Sequence, residues 1–360
     1  MPAESANNNR KLDRITPVLD ADGGAASATE LGGAERLMPA GKPVVAVLYK
    51  DRRPPGMAEV EAAAEVRYAT ADQLVEALEG AHVLLLWDFF SSALQDAWHA
   101  AGSLEWIHVA AAGVDKLLFE DLRESGVLVT NARGIFDRPM AEFVLTGMLA
   151  FAKNLPGLLS LQRERVWQHR ETERLESSRA LIVGTGAIGR EIARVLKAVG
   201  LRVAGAGRTA RSGDADFGEV YASSELAAVV NGFDWVVVVA PLTEQTRHLV
   251  DAPVLKAMKP TARLINVGRG ASVDTEALVE ALQAGAIAGA ALDVFEVEPL
   301  PADHPLWAME NVIISPHLSG DARGWLPQLA GQFADNFGRY LRQQPLENVI
   351  DKKLGFAAPS

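Results

Sequence analysis

Short apolar runs alternate along most of the chain with amphipathic segments of helical period. An apolar run of four to eight residues between polar turns is typical of a buried strand, whereas apolar positions three and four apart indicate a helix. Strands that alternate with helices through short loops favour an α/β fold with parallel sheets. Strands are predicted at 44–49, 83–87, 106–110, 127–130, 180–184, 201–206, 235–240, 263–267, 287–292 and 312–314. Helices are predicted at 71–80, 92–101, 116–124, 138–154, 187–199, 224–231, 274–284 and 326–343.

One predicted helix, 138–154 (RPMAEFVLTGMLAFAKN), is strongly apolar. Such a helix is too apolar to be solvated all round, so we expect it to pack between layers or across a subunit contact. A polar stretch at 162–179 follows it, and the alternation restarts at 180. Residues 1–43 are rich in Ala, Gly, Ser and Asn with little periodicity, which predicts a flexible N-terminal extension.

Composition excludes several classes of function. Hydrophobic residues make up 49% and charged residues 22%, which is ordinary for a globular protein. The net charge of -11 disfavours a nucleic-acid partner, and the absence of cysteine excludes disulfides, thiolate metal sites and a cysteine nucleophile. No spacing of His, Asp and Glu suggests a metal site. The N-terminus lacks a signal-peptide core and no apolar run reaches membrane-spanning length, so we expect a cytoplasmic protein without a membrane partner.

A glycine-rich turn joins the predicted strand at 180–184 to the next helix. The segment GTGAIG places Gly184, Gly186 and Gly189 in G-x-G-x-x-G spacing, with Ala187 and Ile188 between them. Glycines at these places allow a tight turn, a close approach to a pyrophosphate, and close helix–strand packing. Free N–H groups at the helix N-terminus then face the anion. The sequence favours a dinucleotide site over a turn that only connects strand and helix.

The following strand indicates which dinucleotide is bound. NAD sites usually carry an acidic residue there for the ribose hydroxyls. This chain has Gly207 at that place, followed by Arg208, Thr209 and Arg211. A guanidinium can bind a 2′-phosphate through paired hydrogen bonds. The residues therefore favour NADP(H) over NAD(H), the alternative being that both arginines are solvated loop cations.

Three further segments at strand ends carry candidate chemistry: INVGRG (265–270), ALDVFEVEPLPADHPLW (291–307) and ISPHLSG (314–320). Ligands of open α/β sheets bind at the carboxyl ends of strands. The segments offer an arginine, a carboxylate and a histidine, which are the groups needed to hold a keto acid, orient an acid and protonate an oxygen. Taken singly, each of these residues also fits a purely structural role.

The ordered motifs GTGAIG, VVVVAPLTEQTRHLV, INVGRG, DVFEVEP and SPHLSG give the chain a clear resemblance. Over about 44–350 it resembles the D-isomer-specific 2-hydroxyacid dehydrogenase family, and within it the NADP-preferring glyoxylate/hydroxypyruvate reductases. The resemblance implies that Arg269 binds the substrate carboxylate, that His317 is the acid/base, and that Glu298 orients His317 and favours its charged form.

The same resemblance implies contacts for the two ligands. The backbone of the AAAGVDK loop would receive the substrate carboxylate, and Trp87 would line an apolar wall, although such aromatics are more often core. Asp293 would help to hold the nicotinamide carboxamide. The further cofactor contacts implied are Ala240, Pro241, Val267, Gly268 and Gly320, and the loop contacts are Ala112, Gly113 and Val114.

The expected architecture is two Rossmann-like domains, each a doubly wound parallel sheet, separated by a cleft. The dinucleotide-binding domain is expected at 138–321, and a discontinuous substrate-binding domain at 44–137 plus 322–350, followed by a tail at 351–360. The resemblance also implies a homodimer. Domain closure would exclude water around the transfer of a hydride to the keto carbon, while His317 gives a proton to its oxygen.

The chain departs from the family pattern at two further places, and one rival function is compatible with the sequence. Ala240 stands where many family members carry a bulkier or polar residue, and Leu318-Ser319 follows the histidine in place of smaller residues. The rival is a dinucleotide-sensing binding protein of the corepressor type, which shares this scaffold. The sequence leaves open which small 2-keto acid is used, from glyoxylate and hydroxypyruvate to bulkier apolar ones.

Overall fold

A five-stranded parallel sheet forms the first half of the structure. The computed structural model describes residues 41–357. The strands of this sheet are β1 (Val44–Leu48), β2 (Glu65–Ala69), β3 (Val83–Leu86), β4 (Trp106–Val109) and β5 (Leu128–Asn131). They lie in the order β2–β1–β3–β4–β5. β3 and β4 are buried on both faces, as expected for a parallel sheet covered by helices.

An eight-stranded sheet forms the second half. Its strands are β6 (Arg179–Val183), β7 (Arg202–Gly207), β8 (Arg211–Asp214), β9 (Gly218–Ala222), β10 (Trp235–Val238), β11 (Arg263–Asn266), β12 (Gly289–Leu292) and β13 (Val312–Ile314). They lie in the order β13–β12–β11–β10–β6–β7–β9–β8, and only β8 pairs antiparallel. The order reverses at β6, between β10 and β7, and such a reversal opens a crevice at the carboxyl ends of the strands.

Helices join and cover the two sheets. Those that precede β6 in the chain are α1 (Ala58–Ala63), α2 (Leu74–Leu78), α3 (Ala93–Ala97), α4 (Glu120–Glu124), α5 (Asp137–Ala152) and α6 (Leu155–Glu164). Those that follow β6 are α7 (Ala187–Ala198), α8 (Leu226–Val229), α9 (Ala252–Ala257), α10 (Thr275–Gln283) and α11 (Trp325–Leu341). A short hairpin, β14 (Ile350–Asp351) and β15 (Phe356–Ala357), follows α11. The predicted α/β fold with two Rossmann-like sheets is confirmed.

The apolar helix α5 packs on the second sheet. Ala141, Val144 and Met148 are buried in one cluster with the inward-facing side chains of β6, β10 and β11. Gly147 lies on the same face, where an added Cβ would contact the Ala291 methyl at 3.4 Å. One face of the helix is therefore core, while Leu149 is exposed.

The last helix, α11, returns to the first sheet. Phe333, Phe337 and Tyr340 are buried against the face of that sheet formed by β1, β3 and β4. Trp106 on β4 stacks on Phe333 with ring centroids 5.4 Å apart. α11 therefore packs on the first sheet although it follows the second sheet in the chain, and the discontinuous first domain stays a prediction.

Several elements differ from the sequence prediction. The structure contains elements that were not predicted, because their short or largely exposed sequences lack a continuous apolar pattern: α1, β2, β8, β9, α6, α9 and the hairpin β14–β15. The helix predicted at 116–124 begins only at Glu120, after an extended Phe119. The predicted tail at 351–360 includes β15, and the predicted N-terminal extension lies outside the described residues except for 41–43.

Within residues 41–357, no single helix is long and apolar enough to cross a membrane. The pair α5 and α6 meets the length and composition criterion only when taken together, and the chain bends by 58° between them.

Candidate active site

The glycine turn lies at the reversal point of the second sheet. Gly184 has φ 118°, and a Cβ there would lie 2.6 Å from the Ala240 nitrogen, so no other residue fits without displacing the backbone. Gly189 packs so closely that its Cβ would lie 1.9 Å from the Gly184 oxygen. Above Gly186, by contrast, no atom lies within 4 Å of a Cβ position. The turn therefore brings α7 against β6 and leaves space at the helix N-terminus.

That space suits a dinucleotide pyrophosphate. Gly186 is the N-cap of α7, and Ala187 and Ile188 occupy its first turn, where backbone N–H groups have no partner within the helix. Unpaired N–H groups and the helix dipole favour an anion. Gly268 closes the neighbouring wall, since its Cβ would lie 3.1 Å from the Ala240 oxygen. The remaining predicted contacts of this wall are Pro241, which is exposed, and Val267, which is buried.

The two predicted phosphate-binding arginines are placed differently. Arg211 donates from Nε and Nη2 to Asp214 Oδ2 at 2.9 and 2.8 Å. Arg208, exposed beside Thr209 at the end of β7, has no carboxylate partner among residues 41–357, and its guanidinium lies 5.1 Å from the ring centroid of Phe356. Only Arg208 therefore presents an uncompensated guanidinium at the end of this strand.

The acidic residues near these arginines are already paired. Asp214 accepts from Arg190 Nη1 at 2.9 Å, and Asp216 accepts from Arg194 Nε at 2.8 Å. The hydrogen bond from Arg190 holds the pKa of Asp214 well below its ordinary range, with Arg211 adding to it against the opposing effect of burial. These carboxylates do not replace the missing ribose acid, because their oxygens serve the arginines.

Arg269 joins the two halves of the structure. Its Nε donates to Asp115 Oδ1 at 3.0 Å, its Nη2 lies 2.9 Å from the same oxygen in the ion pair, and its Nη1 donates to the Gly268 oxygen at 2.9 Å. A guanidinium carries five N–H donors in a planar fork. Two N–H form hydrogen bonds in this way, which leaves three donors for a ligand. Gly113 is required beside them, because a Cβ there would lie 1.6 Å from Nη2.

Asn266 supports this arginine and was not predicted. Its Nδ2 donates to the Arg269 oxygen at 3.0 Å, and its Oδ1 accepts from the Gly268 nitrogen at 3.1 Å. The signal in the sequence is a polar residue that ends the otherwise apolar β11. A buried amide in that place fixes the turn that carries the guanidinium.

The predicted histidine and glutamate are in direct contact. His317 Nδ1 and Glu298 Oε2 lie 2.8 Å apart, and Glu298 Oε1 accepts from the Phe295 nitrogen at 2.9 Å. Burial alone would raise the pKa of the Glu298 carboxyl. The hydrogen bonds from His317 and Phe295 outweigh that effect, together with the charges of His317 and Lys116, and hold the pKa below its ordinary value. The carboxylate is thus kept ionised beside the imidazole.

Asp293 shapes the turn that carries His317. It is fully buried, and its oxygens accept from the Ser315 hydroxyl at 2.6 Å and from the Leu318 and Ser319 nitrogens at 2.9 Å each. His317 itself has φ 53°, a left-handed conformation that non-glycine residues adopt rarely. The cofactor contact that the resemblance implies for Asp293 stays a prediction, and its carboxylate oxygens also hold the 315–319 turn.

Arg269, Glu298 and His317 follow β11, β12 and β13, which are neighbours in the sheet. Residues 145–319 match the family model of the D-isomer specific 2-hydroxyacid dehydrogenase NAD binding domain. A glyoxylate reductase of Aeropyrum pernix is 34% identical over 269 residues, which is 72% of this chain and 80% of that protein.

The chain belongs to the D-isomer specific 2-hydroxyacid dehydrogenase family.

Solved structures of the family share the fold. A family protein from Aeromonas salmonicida matches with 35% identity and a TM-score of 0.73, covering 86% of this chain and 99% of that one. An NADPH-dependent glyoxylate/hydroxypyruvate reductase from Sinorhizobium meliloti, solved with NADP and sulfate, matches with 27% identity and a TM-score of 0.74, covering 88% and 100%. The prediction of an NAD(P)-dependent D-2-hydroxyacid dehydrogenase is confirmed.

Aromatic side chains from the first sheet border His317 in this dehydrogenase. The Phe90 ring meets the His317 ring edge-on at 5.8 Å, and Lys116 Nζ lies 5.4 Å from the Phe90 centroid. Phe90 was not predicted; its signal in the sequence is the aromatic pair at 89–90 that follows the apolar run 83–87. The predicted Trp87 instead packs in a cluster with Ala112, Phe136 and Trp325. Gly320 is pressed against this cluster, since its Cβ would lie 2.7 Å from Phe136, and Val114 is core.

Proposed function

We propose that this dehydrogenase reduces a small 2-keto acid with NADPH, using His317 as the acid, Glu298 to orient it and Arg269 to bind the carboxylate. The observation that carries the proposal is the 2.8 Å contact between His317 Nδ1 and Glu298 Oε2, at a strand end adjoining that of Arg269. A histidine held by a carboxylate beside a cation is the set of groups that carbonyl reduction needs.

His317 acts at its second nitrogen. Because Glu298 is ionised, Nδ1 donates to it, and the proton given to the keto oxygen is held at Nε2. The turn fixed by Asp293 holds the ring in that orientation. In the reverse direction the neutral ring accepts the proton of the hydroxyl group.

Arg269 fixes the other end of the substrate. Two of its three remaining N–H donors match the two oxygens of a carboxylate, and Gly113 lets the AAAGVDK backbone come close to that place. The dihydronicotinamide of the cofactor supplies the hydride. Binding the carboxylate between guanidinium and loop places the keto carbon for the reaction and removes translational freedom.

The preference for NADPH rests on the end of β7. Arg208 has no carboxylate partner among residues 41–357, while Asp214 and Asp216 are occupied by other arginines. A guanidinium without a carboxylate partner attracts a 2′-phosphate, and the residue at the end of β7 within the described chain is Gly207 rather than an acid that binds ribose hydroxyls. The NADPH-dependent relative from Sinorhizobium meliloti supports the same choice.

The proposed substrate class follows from the space beside His317 and from the substrates named for two relatives. The small 2-keto acids named for the Aeropyrum pernix and Sinorhizobium meliloti proteins are glyoxylate and hydroxypyruvate. Phe90 narrows the space beside His317, which favours a substrate with a short side chain. We therefore propose glyoxylate or hydroxypyruvate ahead of bulkier keto acids.

We also propose that two copies of the chain pair through an apolar surface around α6. The side chains of this surface are exposed and lie in one stretch of the chain: Leu149, Leu155, Leu158, Leu159, Val166 and Trp167. A patch of several exposed apolar side chains typically marks an association surface, and a self-complementary patch gives a two-fold dimer.

A rate comparison tests the reaction. Loss of NADPH or NADH absorbance is measured with glyoxylate, hydroxypyruvate, pyruvate and phenylpyruvate. Turnover is expected to be faster with NADPH than with NADH, and fastest with glyoxylate or hydroxypyruvate. Binding of dinucleotide without turnover of any of them would instead favour a dinucleotide-sensing protein on the same scaffold.

A further inference from the structure

The hairpin β14–β15 is anchored to the first half of the structure. Ile350 is buried in the core of the first sheet, and Val349 pairs with Thr130 beside β5. Lys352 Nζ donates to the carbonyl oxygens of Leu122 and Val127 at 2.9 and 3.0 Å. The hairpin therefore holds a defined place beside α4.

The free end of this hairpin reaches the second half. Phe356 pairs with Asp351 within the hairpin, and its ring lies 5.1 Å from the guanidinium carbon of Arg208. Arg208 follows β7, the strand next to the glycine turn. A side chain fixed to the first sheet thus contacts the cation at the adenosine end of the cofactor site.

A ring contact of this kind leaves the hydrogen-bonding capacity of the arginine intact. An aromatic ring attracts a guanidinium through its face, so the N–H edge and the opposite face stay available to a phosphate and a base. An unrestrained arginine loses rotamer freedom when it binds a phosphate. A guanidinium already held by Phe356 loses less rotamer freedom when it binds a phosphate.

We propose that Phe356 is a positioning residue for NADPH selection, which holds Arg208 so that its N–H edge meets the 2′-phosphate. The inference rests on the proposed preference for NADPH and adds a residue from the opposite half of the molecule. Because the hairpin belongs to the first sheet, discrimination between the two dinucleotides depends on both halves. Removal of the ring weakens binding of the 2′-phosphate and leaves the rest of the dinucleotide unaffected.

Calorimetric titration of the full chain tests this without turnover. The ligands are 2′,5′-ADP and 5′-AMP, which differ only in the 2′-phosphate. For Phe356→Ala, affinity for 2′,5′-ADP falls by about threefold to fivefold, the range of an exposed cation–π contact, while affinity for 5′-AMP is unchanged. Phe356→Tyr keeps the ring and restores wild-type affinity.

Two controls separate positioning from a general loss of structure. Lys353→Ala, an exposed position on the same hairpin, leaves both affinities and the melting temperature unchanged. In an Arg208→Ala background, Phe356→Ala has no further effect on 2′,5′-ADP, because the residue acts through Arg208.

Three results would contradict the inference, and they can be told apart. Wild-type protein that binds 2′,5′-ADP no more tightly than 5′-AMP overturns the NADPH preference and this inference with it. Wild-type discrimination that survives Phe356→Ala overturns the inference alone. An equal loss of affinity for both ligands also overturns it, since the ring would then act on the whole site.

Discussion

Glu298 links the backbone at Phe295 to His317, the proposed proton donor. One of its oxygens is fixed by the Phe295 nitrogen and the other by His317. Since the pKa of Glu298 is held below its ordinary value, the carboxylate persists through neutral and mildly acidic pH. The proposed acid therefore keeps its anionic partner over the range in which reduction is expected.

Replacing Glu298 by Gln removes the charge and keeps the shape. The protonated ring of His317 then lacks an anionic partner, so kcat for keto acid reduction falls by about 10²-fold. Steady-state kinetics of keto acid reduction check this; a wild-type kcat in Glu298→Gln would contradict the assigned role of Glu298.

Asp115 is expected to act on the substrate through Arg269. Asp115→Ala frees the guanidinium from its side-on anchor, so KM for the keto acid rises by about tenfold while KM for NADPH stays the same. Asp115→Asn retains an acceptor oxygen and serves as the matched variant with a smaller effect. Equal KM values for the keto acid in Asp115→Ala and wild type would show that Arg269 needs no anchor.

At the scale of single residues, turns and side-chain contacts could be predicted from the sequence where a family motif fixes the backbone. The glycine turn and the contact of His317 with Glu298 were predicted because each depends on residues in a family motif. The pairing of Arg211 with Asp214 and the approach of Phe90 to His317 were not, because no local pattern reports contacts between loops.

At the scale of elements, hydrophobic pattern located the buried strands and missed the peripheral ones. β3 and β10 carry continuous apolar runs because helices cover both of their faces. β2 has only Ala69 fully buried, and β8 has no fully buried residue, so neither edge strand shows such a run. Helix α9 is six residues long and begins at an Asp251 cap rather than with a periodic face.

His108 on β4 lies between the first sheet and α11 with an incomplete set of partners. The Thr130 hydroxyl accepts from Trp106 Nε1 and lies 2.8 Å from His108 Nδ1, so it donates to that nitrogen. The ring proton then resides on Nε2, which is buried without a partner among the described residues. Burial lowers the pKa of His108 to about 3 from its ordinary 6.5.

The sign of the resulting pH dependence follows from this lowered pKa. The unfolded chain takes up a proton below 6.5 while the folded chain does not until about 3, so stability is lost as pH falls between these values. At about pH 5 the loss is about 2 kcal/mol relative to neutral pH. His108→Phe should remove that part of the pH dependence, as measured by urea unfolding at both pH values.

An exposed histidine gives the matched control for this element. His99→Gln should leave the pH dependence as it is in the wild-type chain. If His108→Phe and wild type lose the same stability on acidification, protonation of His108 is not what destabilises the packing of α11 on the sheet.

At the scale of the whole molecule, the apolar surface around α6 is expected to be covered by a second copy. Replacing Leu158 and Leu159 together by Glu places charge in that contact, so the dimer should dissociate to monomer. Light scattering on the purified chain measures the change. Val75→Glu, an exposed apolar position on α2, is the control that stays dimeric, and a monomeric wild type would contradict the proposal.

The most direct test of the account is NADPH-dependent reduction of glyoxylate and hydroxypyruvate by wild type and by His317→Asn, with NADPH affinity measured by fluorescence on the same samples. The account predicts turnover by wild type, a loss of kcat of about 10³-fold in the variant, and unchanged affinity for NADPH. Wild-type kcat in His317→Asn would contradict it, as would a wild-type protein that binds NADPH and reduces neither substrate.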